Sequence, residues 1–199
     1  MLQNGGVNSV RTRFIQACLV TSLLHPLGAL SGEKTAFELI KDGNRYVGEQ
    51  CKDKVVQIRS EKSIGSLTPT IWYVVYYDPD ATFKATEVKF GAGQKLKVRR
   101  PARVIELVGR DKEILDGNKL KVDSDKAIEI AAAEPLLKPL TLKASQVWLE
   151  HSDEGPVWKV RLWAAKLQKP SAMVDIGEVY ISTEIGKPVR SDLHINRVD

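Results

Sequence analysis

Two kinds of hydrophobic spacing divide the chain into helical and extended segments. Ala36, Phe37, Leu39 and Ile40 recur at helical spacing, as do Ala127, Ile128, Ile130 and Ala131. Thr35 with Glu38 three residues on predicts a capping box for the first helix, and Gly43 its stop. Asp123, Ser124 and Asp125 supply a cap and negative charge at the start of the second, which should end before Pro135 or Pro139. Stretches of period two follow each helix. In the clearest, Trp158, Val160 and Leu162 point one way while Lys159, Arg161 and Trp163 point the other. Asp153-Glu154-Gly155 predicts the turn before this strand. Glu184-Ile185-Gly186-Lys187 predicts the turn of a closing hairpin, where glycine can take positive φ.

The same order of segments occurs twice. Gln57-Ile58-Arg59-Ser60 answers Gln146-Val147-Trp148-Leu149, and the run from Thr70 to Tyr77 answers that from Pro156 to Trp163. Glu87-Val88-Lys89-Phe90 answers Glu178-Val179-Tyr180-Ile181, and Gly93-Gln94-Lys95-Leu96 answers Gly186-Lys187-Pro188-Val189. Length differences fall between these segments, where loops tolerate them. The expected fold is α+β: two repeats of a helix packed on an antiparallel sheet of three or more strands. The first repeat spans 32–100, a connector 101–122, and the second repeat 123–199. Each unit reads as one helix and three strands. A unit of that size is marginal without disulfides, so a core shared by both units stays open.

The first 31 residues follow a different logic. Residues 1–13 are polar, with Arg11 and Arg13 and no acid. Phe14 to Leu24 is apolar, His25 and Pro26 break it, and Ala29 and Ser31 offer small residues. This is the order of a secretory signal peptide, too short to span a bilayer. No other membrane span is expected after cleavage. Only Cys51 then remains, so no disulfide can form within one mature chain.

Charge narrows the partner class. The net charge of +5 falls to +3 once residues 1–31 are removed. Such a small excess gives no reason to expect nucleic acid, which favours a clustered basic stripe. The densest basic run is Lys95, Lys97, Arg99, Arg100 and Arg103, read either as a solvated strand face or as a contact for phosphate or an anionic surface.

Strand faces supply the candidate site. With Trp158 on the helix-covered face, the opposite face of the second unit carries Trp148, Trp163 and Tyr180, interleaved with Lys159 and Arg161. The matching face of the first unit carries Ile71, Tyr73, Val75 and Tyr77. A solvated sheet face is ordinarily polar. Either these faces pack on each other, or the patch meets a partner. Reactive groups are sparse. His151 and His194 lack zinc spacing. Asp78-Pro79-Asp80 lacks the further ligands of a calcium loop. Gly91-Ala92-Gly93 precedes a strand rather than a helix, and no Gly-x-Ser-x-Gly elbow occurs. No catalytic residue, metal ligand or cofactor is assigned.

An Ala- and Ile-rich helix, a Trp-x-Val strand and a hairpin ending Gly-Lys-x-Val resemble the PepSY domain family. The match is best over Ser124–Ala133, Val157–Leu162, Glu178–Ile181 and Gly186–Val189, with the first unit a weaker copy. The resemblance implies a helix against an antiparallel sheet, similar to cystatin-like folds, and a role in inhibiting peptidases or modulating a partner. Ser182 and Glu184 flank the place of the family's acidic residue, and no protease domain follows. The expected function is an exported, non-enzymatic binding module, an inhibitor or regulator of a peptidase or other envelope protein. The alternatives are a periplasmic small-ligand carrier with a pocket between helix and sheet, and an enzyme using Cys51. Cleavage of the leader is expected after Ala29 or Ser31. N-terminal sequencing of the secreted chain should therefore begin at Leu30 or Gly32, and an intact Met1 would refute the export reading.

Overall fold

Each helix begins where its cap is strongest. Thr35 and Glu38 form a reciprocal capping box at the start of α1 (Ala36–Gly43), and Asp123 caps α2 (Ser124–Ala132). The computed structural model describes residues 1–2, 33–100, 114–152 and 155–199. The leader reading and the turn at Asp153 and Glu154 lie outside these residues, apart from Met1 and Leu2. Four strands follow α1: β1 (Val55–Ser60), β2 (Ile71–Tyr77), β3 (Ala85–Gly91) and β4 (Gln94–Arg99). Four more follow α2: β5 (Leu142–Ser152), β6 (Gly155–Ala165), β7 (Met173–Ser182) and β8 (Pro188–Leu193).

The expectation of two helix-on-sheet repeats does not hold. All eight strands join one antiparallel sheet in the order β4-β3-β2-β1-β5-β6-β7-β8, and Ser31–Asp199 is a single compact unit. Strand dominates, and two helices of 8 and 9 residues lie on it. At about 1.5 Å per residue such helices reach only about 12–14 Å, too short to roof separate cores. Each half contributes four strands, within the expected three or more. The fourth in each half, β4 and β8, is an edge strand exposed along nearly all its length, so it lacks the buried alternation that marks the others.

Side-by-side joining settles how the two halves meet. Their sheet faces do not stack; β1 and β5 pair edge to edge at Ile58↔Leu149 and Arg59↔Trp148. Serines then extend the seam. Ser60 Oγ accepts from the Val147 N–H at 2.9 Å, and Ser63 Oγ accepts from the Ser145 N–H at 2.8 Å. The Ser63 N–H donates to the Ser145 carbonyl at 2.8 Å. All three serines are at most 3% exposed, so these bonds have no water to replace them.

One hydrophobic cluster crosses the seam. It holds Ile58, Trp72, Val74 and Val88 from the first half and Val147, Leu149, Trp158 and Val160 from the second, under Leu39 and Ala131 of the helices. Phe37 of α1 stacks on Trp158 of β6, with ring centroids 6.1 Å apart. The Trp158 indole N–H donates to the Val122 carbonyl at 2.7 Å. The helix starts also touch: Ser124 Oγ accepts from the Ala36 N–H at 3.0 Å, and Asp123 Oδ1 from the Phe37 N–H at 3.1 Å. Asp123 therefore caps both helices, satisfying donors that a helix start otherwise leaves open.

The seam is testable. Ser60→Ala leaves the buried Val147 N–H without an acceptor and is expected to cost about 1–3 kcal/mol. Urea unfolding should show that loss, together with faster hydrogen exchange at the Val147 amide. Unchanged stability and exchange would show that the seam does not depend on the serine.

Candidate functional site

Alternation along each strand leaves one sheet face to the helices and core and the other free of both helices. The five residues singled out from the sequence all lie on the helix-free face. Trp158, Val160 and Leu162 are fully buried on the core side, and their neighbours Lys159, Arg161 and Trp163 are half-buried on the other. Register places Lys159 directly between Trp148 and Tyr180. Arg161 and Trp163 lie further along the same strand. These aromatics therefore share a face but do not form one aromatic cluster.

Cross-strand pairing organises this face more than sequence proximity does. Lys97, Lys89, Tyr73, Arg59, Trp148, Lys159, Tyr180 and Arg190 are directly opposed from strand to strand, one on each of the eight strands. At about 4.8 Å between strands the row is about 34 Å long. From Lys89 onward, cations and aromatics alternate. Arg59 and Lys89, from the strands on either side of β2, lie 4.0 and 4.9 Å from the Tyr73 ring centroid. Lys159 lies 5.0 Å from Trp148, and Arg190 4.9 Å from Tyr180. Trp163 is flanked by Lys62 at 4.4 Å and Arg161 at 5.6 Å. Tyr73 thus makes two cation–ring contacts, each contributing about 0.5–1 kcal/mol.

Carboxylates fix the cations in place. Glu87 is 1% exposed and accepts from Arg59 and, at 2.6 Å, from Arg99 Nε. Asp175 accepts from Arg161 Nε at 2.7 Å and from the Gly177 N–H at 2.9 Å. Burial alone raises its pKa, but Arg161 and that N–H outweigh it and hold the carboxyl below its ordinary value. Glu61 is lowered by the Tyr73 hydroxyl and by Lys89. Burial pushes Tyr180 up to about 12, with Glu178 adding to the shift.

Other residues read from the sequence have structural surroundings. Of the first-half face, Tyr73 joins the row, while Val75 is buried in a small cluster with Val56 and Ala85. Asp78 is 2% exposed and accepts from the Thr86 hydroxyl at 2.6 Å, the Asp80 N–H at 3.0 Å and Arg100 at 3.1 Å. Burial opposes its ionisation, yet these donors keep its pKa below the ordinary value. Cys51 is 1% exposed, and burial followed by Asp78 pushes its thiol pKa up, opposite to what a nucleophilic thiolate needs. His194 lies 3.5 Å from Asp192. Among the described residues no three His, Cys, Asp or Glu side chains are grouped as metal ligands, and no helix is long and apolar enough to cross a membrane. Surface clefts of about 200 and 230 Å³ on the helix-free face are lined mainly by charged side chains. The sequence reading missed Arg59, Glu87, Lys89 and Arg190 as parts of this face. Period two gives their side, but only register brings them into the row.

No family model, curated protein or solved structure matches this chain.

Glu61, Asp78 and Asp175 all have lowered pKa values in the folded protein. They stabilise it above their unfolded pKa values near 4, and that contribution is lost as pH falls through the lower folded values. Urea midpoints should hold down to about pH 5 and drop below about pH 4. Asp78→Asn should flatten this acid limb, and a limb unchanged in that variant would show that Asp78 does not contribute.

Proposed function

We propose that this chain is an exported, non-enzymatic binding module that regulates or inhibits a peptidase or another envelope protein through its helix-free sheet face. The row of alternating cations and aromatics carries this reading. Neither helix covers it, and Tyr, Trp and Arg are the side chains that most often anchor protein interfaces. A partner meets aromatic rings, two tyrosine hydroxyls and cation heads already held by their neighbours, so little side-chain entropy is lost on docking. Exposed carboxylates beside the cations give the face both signs of charge, which favours one orientation over others. The signal-peptide-like order of residues 1–31 and the PepSY resemblance support the setting. The fold implied by that resemblance is corrected above, so the weight rests on the face itself.

A photo-cross-linking amino acid at position 163, in the full chain within the producing cell, should trap one discrete partner. The same group at Lys169, in the exposed turn before β7, should not. With that partner purified, Trp148→Ala and Tyr180→Ala should each weaken binding at least tenfold, about 1.4 kcal/mol. Identical trapping from positions 163 and 169, or affinity unaffected by both alanines, refutes the reading.

A further inference from the structure

The first half of the sheet holds an excess of positive charge that its described carboxylates only partly neutralise. Residues 33–100 contain 13 Lys and Arg against 9 Asp and Glu, whereas residues 114–199 contain 12 against 13. The excess gathers at the β3–β4 edge, in a cleft of about 200 Å³ lined by Tyr73, Glu87, Lys89, Lys97 and Arg99. Two ionic groups border it. Glu87 is buried and shared between Arg59 and Arg99, and Glu61 accepts from Lys89 at 3.0 Å. Lys97 has no carboxylate partner among the described residues, and its register partner is Lys89. Like charges directly opposite across strands destabilise a sheet. A turn or a strand edge does not require this pairing; an acid at either position would relieve it.

We infer that this cleft is an anion site for a phosphoryl group, distinct from the aromatic residues of the second half. The Glu87 carboxylate fixes Arg99 through Nε, leaving its remaining N–H groups available, and guanidinium suits phosphoryl oxygens. Lys89 and Lys97 stand beside it, and the incoming charge removes their mutual repulsion. The volume is below the roughly 300–1,000 Å³ of sites that enclose a drug-sized ligand, so it suits a single headgroup or pyrophosphate. Two sources share this chemistry: a free phosphate ester and the phosphate of an anionic lipid.

The test titrates the full chain with inorganic pyrophosphate at constant ionic strength, and in parallel sediments it with phosphatidylglycerol vesicles. Binding in either arm is expected to weaken at least tenfold in Lys97→Gln and in Arg99→Gln, and to be unchanged in Lys41→Gln, on α1. The arm that responds identifies the source. Lys97→Glu gives a readout independent of binding: it should raise the unfolding midpoint without ligand, by pairing with Lys89, while losing the response to pyrophosphate. Sodium chloride stabilising the chain as much as pyrophosphate at matched ionic strength would overturn the inference, as would Lys97→Gln retaining full binding. Because Trp148, Trp163 and Tyr180 are untouched, failure here leaves the protein-binding face standing, and its failure leaves this site standing.

Discussion

Everything in this fold depends on an edge that must not be left bare. β1 has one partner within its own half, β2, and β5 has β6. Each would otherwise present a row of unpaired N–H and C=O groups, the template for uncontrolled pairing. Their union hides both edges and turns two four-stranded halves into one sheet. Direct pairing joins Ile58 to Leu149 and Arg59 to Trp148, and buried serine hydroxyls complete the hydrogen bonding where the strands part. The core follows from the same union, since Trp158 of one half is covered by Phe37 of the other.

Local features were legible in the sequence because their causes are local. The Thr35–Glu38 capping box, the Asp123 cap and the alternation through Trp158, Val160 and Leu162 each involve residues within a few positions. Assembly was not legible. Ser60, Ser63 and Ser145 look like ordinary polar punctuation, and nothing near them in sequence announces bonds across more than eighty residues. Edge strand β4 was legible only as a solvated strand face in its run of basic residues, because with every residue exposed it leaves no inward pattern to place it. The candidate face was legible by side but not by neighbour. Period two correctly set Lys159 and Trp163 apart from Trp158. Which ring meets which cation is decided by register between distant strands.

The two faces of the sheet solve different physical problems. On one, apolar burial and two short helices supply cohesion. On the other, rings and cations alternate, so each long cation covers apolar ring surface while keeping its charge near water. A face free of both described helices can thus keep its charges hydrated without becoming a lattice of opposed carboxylates and lysines. The arrangement is uneven: Glu87 is deeply engaged by two guanidiniums, while Lys97, lining the same cleft, faces another lysine.

The shared cap at Asp123 has a consequence in time. The first helix takes acceptors for its opening N–H groups from side chains 86 and 88 residues further along the chain. During synthesis those residues emerge long after α1. The first hundred residues therefore cannot reach their final bonding alone, because the outer edge of β1 and the start of α1 both wait for the second half. Such dependence on distant partners slows folding relative to helical proteins of similar size. Until β5 has been made, the early chain lacks these partners, and its open edge stays accessible to a chaperone or a protease.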